Sequence, residues 1–295
     1  MRSKLFVPGS RPELFQKAIA GPADAISIDL EDAVLESRKS EARLSVSAFL
    51  REREALYHGA QTPKQLIVRV NAMATAHFSE DLSAVAWHAL FAVNLPKIES
   101  ADELRLAEQM LARFEQERGI SRPIGILPNI ESPRGLLHAA AIAAASPRVI
   151  GLQVGFGDLF EPLGIDRANP EALHQVQLAV RFAAACADRP AYDGAYTDVA
   201  NLAGFRAEAE HARRLGYAGK SCIHPSQVPA ANAAFQPGEQ EVAFARRMLI
   251  AWEDAQARGL GAIVVEGRMV DKPNVERAQA IVAAANLIVE EERRP

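Results

Sequence analysis

Cysteine is scarce in this chain, with Cys186 and Cys222 the only two among 295 residues. Their spacing suits neither a metal site nor a redox pair, so both are expected to be reduced thiols packed in a cytoplasmic protein. Long apolar runs are missing as well. None approaches the roughly 20 residues that span a bilayer, which excludes a helical membrane anchor. The first apolar strand begins at Lys4, and the residues before it leave no room for a secretory leader. Charge of one sign is also lacking. The formal net charge is −4 with no long basic run, so nucleic acid and anionic membranes are poor partners. His58, His77, His88, His138 and His211 show no zinc-site spacing. The terminal Glu290-Glu291-Glu292-Arg293-Arg294 reads as a solvated helix end.

What is present is an alternation. Short apolar runs occur at Lys4–Val7, Ala25–Leu30, Leu66–Val70, Phe91–Pro96, Ile124–Ile130, Val149–Gly155, Pro190–Tyr196 and Ala218–Ile223. Several are almost continuously hydrophobic, as strands buried on both faces should be. Amphipathic stretches lie between most of them, at Pro12–Ala20, Ser37–Glu54, Glu80–His88, Ala101–Glu117, Gly135–Ala144, Glu171–Ala187 and Leu202–Leu215. Such an alternation predicts a (β/α)8 TIM barrel, with an open doubly wound sheet as the rival. Ser100 followed by Glu103 forms a capping box, and Gly119 and Gly216 stand where helices should end. The barrel domain is expected over residues 1–228 and a C-terminal extension over 229–295. The extension divides into a helix at Glu239–Arg258, a strand-and-turn piece at Gly261–Asp271 and a helix at Asn274–Glu292. The apolar face of that last helix calls for a partner surface.

In such a barrel the active site lies at the C-terminal strand ends. Those ends carry Asp29-Leu30-Glu31-Asp32, Arg69-Val70-Asn71, Lys97-Ile98-Glu99, Glu131-Ser132-Pro133-Arg134, Gly155-Phe156-Gly157-Asp158, and Lys220 with His224. Glu131 and Asp158 end adjacent strands and can face one hard cation such as Mg²⁺, which prefers carboxylates and water. Gly155 and Gly157 would let backbone N–H groups approach a small anion. Asp29, Glu31 and Asp32 fit the role of holding the metal's waters. For Asp32 and Glu99, capping of the next helix is the other reading. Arg69 lies inside an apolar strand and needs an anion, either a substrate carboxylate or an internal partner at Asp29 or Glu31. Lys97 is a substrate-binding candidate, although interior salt bridges would explain both Lys97 and Lys220. His224 reads as a strand-end hydrogen bonder.

In these residues the chain resembles the citrate lyase beta subunit-like proteins of the HpcH/HpaI aldolase superfamily. The resemblance runs from Arg2-Ser3-Lys4-Leu5-Phe6-Val7-Pro8-Gly9 and Arg11-Pro12-Glu13 through Asp29-Leu30-Glu31-Asp32-Ala33-Val34, Val68-Arg69-Val70-Asn71 and Leu95-Pro96-Lys97-Ile98-Glu99. It continues through Ile130-Glu131-Ser132-Pro133-Arg134-Gly135, Ser146-Pro147-Arg148-Val149, Tyr196-Thr197-Asp198, Gly219-Lys220-Ser221-Cys222-Ile223-His224-Pro225 and Gly267-Arg268-Met269-Val270-Asp271. It implies Mg²⁺, with Mn²⁺ as a substitute, on Glu131 and Asp158, and Arg69 on the substrate carboxylate. It implies a trimer whose C-terminal extension covers a neighbour, with Asp271 as the acid/base delivered across that interface. It also implies acyl-CoA chemistry, in which malyl-, citramalyl- or citryl-thioesters are cleaved to an acyl thioester and an α-keto acid, or formed from them. Malate synthase-type thioester hydrolysis is a related outcome. Many relatives read Gly-Ala-Glu-Asp-Leu at strand six, where this chain has Gly155-Phe156-Gly157-Asp158-Leu159.

The expected chemistry is therefore enolate formation by a metal-dependent carbon–carbon lyase. Arg2, Lys4 and Arg11 are charge-based candidates for the CoA phosphates. A class II keto-acid aldolase acting without CoA is the first alternative. A barrel that binds CoA or a keto acid without turnover is the second.

Overall fold

The computed structural model describes residues 1–57 and 64–292, so His58 and Arg293-Arg294 lie outside the described residues. The chain divides into two compact units, Met1–Phe235 and Gln236–Pro295.

In the first unit eight strands form a closed parallel barrel in sequence order. They are β1 (Ser3–Pro8), β2 (Ala25–Asp29), β3 (Gln65–Arg69), β4 (Ala92–Leu95), β5 (Gly125–Ile130), β6 (Leu152–Val154), β7 (Ala191–Asp193) and β8 (Gly219–Cys222). Closure is made by β1 on β8, in the register Ser3↔Lys220, Lys4↔Ser221, Leu5↔Cys222. That pairing rules out the open sheet. The helices are α1 (Phe15–Ala20), α2 (Lys39–Tyr57), α3 (His77–Val85), α4 (Ala101–Glu117), α5 (Pro133–Leu137), α6 (Ala139–Ala143), α7 (Phe156–Phe160), α8 (Pro170–Ala185), α9 (Leu202–Arg214) and α10 (Val228–Phe235).

Strand pleating sorts the residues into two compartments. Ile26, Ile28, Leu66, Val68 and Val93 face outward into the large core beneath the helices. Ala25, Ile67, Ala92 and Leu127 form a separate small cluster inside the barrel. Above that apolar layer the inward positions turn polar, with Lys4, Ser27, Asn94, Asn129, Gln153 and Ser221 all buried. The next inward positions, Asp29, Arg69 and Glu131, reach the C-terminal rim.

Ser100 caps α4 by accepting the Glu103 N–H, and Glu103 accepts the Glu99 N–H in return. The stretch expected as one helix over Gly135–Ala144 breaks at His138 into α5 and α6. The helix after β3 begins earlier than expected, at His77. Two helices had no sequence signal, α7 and α10. Val228, Ala231 and Phe235 of α10 are buried in the barrel's core, so the first unit extends past residue 228 to Phe235. Among the described residues no helix is long and apolar enough to cross a membrane.

The second unit consists of α11 (Glu239–Ala257), β9 (Ile263–Val265), β10 (Arg268–Val270) and α12 (Lys272–Glu292). β9 and β10 pair antiparallel, with Val265 opposite Arg268. The turn therefore centres on Glu266 and Gly267, both at positive φ, within the strand-and-turn piece expected over Gly261–Asp271. Val275 and Ala278 of α12 pack with Met248 and Trp252 of α11. Part of the α12 apolar face is thus covered within its own unit.

Candidate active site

The ends of β1, β2, β3, β5, β6 and β8 converge on a cavity of about 590 Å³ at the C-terminal mouth of the barrel. Its walls include Phe6, Asp29, Arg69, Glu131, Phe156 and Asp158.

Arg69 ends β3 and lies 5.3 Å above the Phe6 ring. Its Nε and Nη2 donate to the two oxygens of Asp29 at 2.8 and 2.7 Å. Its Nη1 meets Glu31 at 2.9 Å and Asp32 at 3.5 Å. Arg69 thus has an internal anionic partner, the second of the two sequence readings, while still lining the cavity. Asp29 also accepts the Glu31 and Ala33 N–H groups. Burial would raise its carboxyl pKa, but the Arg69 charge and these hydrogen bonds overcome that and lower it. For Glu31 burial wins, helped by Asp32, and its pKa is raised. Asp32 faces Arg69 and Lys97 and does not cap a helix.

Lys97 follows β4 with φ of 53°, a left-handed conformation that costs about 1–3 kcal/mol outside glycine. That conformation accompanies two contacts from one residue. Its N–H donates to Glu131 Oε1 at 2.7 Å, and its Nζ donates to Glu31 at 3.0 Å with Asp158 3.5 Å away. Burial would lower the ammonium pKa, and the hydrogen bond and charge of Glu31 raise it instead.

Glu131 is 3% exposed and accepts a second hydrogen bond from Asn129 Nδ2 at 3.2 Å. Burial first, then the charges of Asp158 and Glu31, push its pKa up to about 8. A cation among these carboxylates would relieve that excess of negative charge. Among the described residues no three His, Cys, Asp or Glu side chains are arranged as a metal cage. A hard ion that keeps its waters needs only one or two carboxylates, so an oxygen-only pair fits such an ion.

The two glycines of the strand-six segment differ. A Cβ on Gly155 would stand 2.2 Å from Glu131 Oε2, so Gly155 makes room for that carboxylate. Its N–H donates to the Ile130 carbonyl at 3.0 Å and is not available to a small anion, which corrects the sequence reading. Gly157 has no atom within 4 Å of its Cβ position and lines the cavity.

The CoA-phosphate assignment changes. Arg2 precedes β1, at the N-terminal end of the barrel, and is paired with Asp24. Lys4 is 2% exposed inside the barrel. Neither is at the rim, because both precede the β1 residues that reach it. Arg11 follows β1 on the correct side and pairs with Glu13. Lys220 is a buried ion-pair residue bonded to Asp193 and Glu208. His224 accepts the Ser226 N–H and starts the turn leading to α10.

In the second unit Asp271 follows β10. Its N–H donates to Asn274 and its carbonyl accepts the Val275 N–H. No partner for its carboxylate is present among the described residues, so its side chain is not the cap of α12.

Residues 2–225 match the model of the HpcH/HpaI aldolase/citrate lyase family. The chain belongs to that family. It is 35% identical to an L-malyl-CoA/beta-methylmalyl-CoA lyase of Cereibacter sphaeroides, over 97% of this chain and 95% of the relative. It is 37% identical to the citrate lyase subunit beta of Escherichia coli, over 97% and 93%. Among solved structures it resembles the protein CitE of Mycobacterium tuberculosis in complex with magnesium, acetoacetate and coenzyme A. That match has a TM-score of 0.77 and 33% identity, covering 97% of this chain and all of the other.

Within this aldolase/citrate lyase barrel, sequence reasoning missed several wall and floor residues. Arg167 lines the cavity, stacks 4.6 Å from the Phe156 ring and pairs with Glu208 at 2.8 Å. It lies in a loop between helices, where no pattern marks it. Asn129 and Gln153 line the floor. Asn129 was detectable in principle, since it precedes Glu131 by two positions and must share its face.

Proposed function

We propose that this chain is an Mg²⁺-dependent carbon–carbon lyase of β-hydroxyacyl-CoA thioesters, cleaving malyl-, citramalyl- or citryl-CoA to an acyl-CoA and an α-keto acid, or running in reverse. The observation that carries the reading is Glu131, a buried carboxylate crowded by Asp158 and Glu31 at the barrel mouth. Glu131 and Asp158 would hold the ion, and Asp29, Glu31 and Asp32 would orient its waters. When bound, the cation supplies Lewis-acid polarisation of the hydroxy-acid oxygens. Arg69, fixed by Asp29, is the partner for the substrate carboxylate.

Asp271 takes the proton of the β-hydroxyl as the bond between Cα and Cβ breaks. The bonding electrons pass into the thioester as an enolate, and the hydroxyl carbon becomes the keto carbonyl. Protonation of the enolate at carbon then yields the acyl-CoA. A neighbouring copy in a homotrimer is the proposed source of Asp271. In support, its carboxylate has no partner among the described residues, and Val264 and Met269 on the adjoining hairpin are 72% and 70% exposed. Lys97 balances the acidic rim through its ion pairs with Glu31 and Asp158.

A coupled assay for keto acid release from malyl-, citramalyl- and citryl-CoA, with Mg²⁺ and with EDTA, tests this. Cleavage of at least one thioester that disappears in EDTA is expected. Turnover of free hydroxy-keto acids in place of the thioesters would move the assignment to a CoA-independent aldolase. Cleavage undiminished by EDTA would remove the metal from it.

A further inference from the structure

Beneath the rim runs a hydrogen-bonded line of side chains with a fixed direction. Lys4 Nζ lies 3.4 Å from Asn94 Oδ1 and also donates to Gln153 Oε1. Both facing atoms are carbonyl oxygens, so Lys4 donates to them whether ammonium or amine. Asn94 donates one N–H to the Leu127 carbonyl at 2.7 Å and the other to Asn129 Oδ1 at 2.7 Å. Asn129 then donates to Glu131 Oε2 at 3.2 Å. Lys4, Asn94, Asn129 and Glu131 are 2, 0, 1 and 3% exposed, so water does not replace any of these bonds cheaply.

We infer that Lys4, Asn94 and Asn129 form a positioning relay that aims the Glu131 carboxylate at the cavity, an inference that rests on Glu131 being a metal ligand. The direction follows from the donor and acceptor inventory. Turning the Asn129 amide would set its carbonyl against Glu131 and its NH2 against the Asn94 NH2. Turning Asn94 would set its NH2 against Lys4 and leave its carbonyl facing the Leu127 carbonyl. Each amide is locked by the next, and the lock ends at a residue that can only donate to what it faces. The other hydrogen bond to Glu131, from the Lys97 N–H, holds the other oxygen. The carboxylate is thus gripped from both sides, one grip reaching across three strands to β1.

The test is Mn²⁺ binding to the substrate-free protein, followed by electron paramagnetic resonance, with thermal unfolding recorded for every variant. Lys4→Met and Asn129→Ala should each weaken Mn²⁺ binding by about 10-fold or more, as when groups supporting metal ligands are removed. Because they act in series, the double variant should bind no more weakly than Asn129→Ala alone. Asn94→Leu, which cuts the line in the middle, provides the same test should Lys4→Met not fold. If Glu131→Gln loses Mn²⁺ while the relay variants bind as the wild type does, the relay is refuted and the metal site stands. Additive losses in the double variant also refute it, since independent effects do not pass through one bond. If Glu131→Gln itself binds Mn²⁺ normally, the metal reading fails and the relay with it.

Discussion

Replacing Glu131 with glutamine should make the metal-free protein more stable in mild alkali and less stable in mild acid. The folded carboxyl has a pKa of about 8 against an ordinary 4.5. Between those values the folded chain keeps a proton that the unfolded chain has released. Stability therefore falls as pH rises through that window, by about 1.4 kcal/mol for each pH unit. Over the whole window the loss from this one group is at most about 5 kcal/mol. Glutamine has no such titration. It does place an NH2 against one of the two donors now facing Glu131, the Lys97 N–H and Asn129 Nδ2, at a pH-independent cost of about 1–3 kcal/mol. Near pH 5 the variant should melt below the wild type, and near pH 8.5 above it. At about 2–4 °C per kcal/mol for a unit of this size, the difference in Tm should swing by on the order of 10 °C. Thermal unfolding in EDTA across that range measures it. Parallel Tm curves for the two proteins would refute the electrostatic account of the site. Mg²⁺ at about a hundred times its Kd should then stabilise the wild type by about 2.7 kcal/mol and leave the variant unmoved.

Asp158→Asn should fold normally and lose Mg²⁺ affinity by calorimetry; unchanged affinity would remove Asp158 from the ion. Arg69→Lys keeps the charge but gives up the paired bonds to Asp29, so kcat/KM should fall about 10-fold or more, and unchanged kinetics would leave Arg69 purely structural. Lys220→Met leaves Asp193 and Glu208 buried without their shared cation and should cost about 3–5 kcal/mol in denaturant unfolding. Mixing inactive Asp271→Asn subunits with inactive Glu131→Gln subunits should restore part of the activity, and no recovery after verified exchange would place each site within one chain.

The barrel was legible because its strands are buried on both faces and therefore nearly continuous in hydrophobicity. All eight were located, with their ends shifted by a few residues. The acidic rim was legible for a related reason, since strands buried on both faces leave their carboxylates mostly at their ends. α7 was missed because Gly155-Phe156-Gly157 carries neither helical periodicity nor a capping side chain. α10 was missed because Val228-Pro229-Ala230-Ala231 is too short and too apolar to distinguish a helix from a loop. Arg2 and Lys4 were misplaced by treating charge near the N-terminus as charge at the rim. The pleat assigns Lys4 to the interior two residues below Phe6, and the sequence states that register only once closure with β8 is known. Arg69 illustrates a different limit: an arginine in an apolar strand requires an anion, but sequence cannot say whether the protein or the ligand brings it.

The two glycines flanking Phe156 give this barrel one frozen position and one adjustable position. Any side chain at 155 would have to displace the Glu131 carboxylate, so a change there alters strand six and the floor together. At 157 a new side chain would enter open space beside Asp158 without moving the scaffold. Altered substrate preference is therefore accessible by single substitutions at 157, through the size or charge projected over the cavity. A library randomised at that codon would explore selectivity while leaving folding intact, whereas the same library two residues earlier would mostly sample broken proteins.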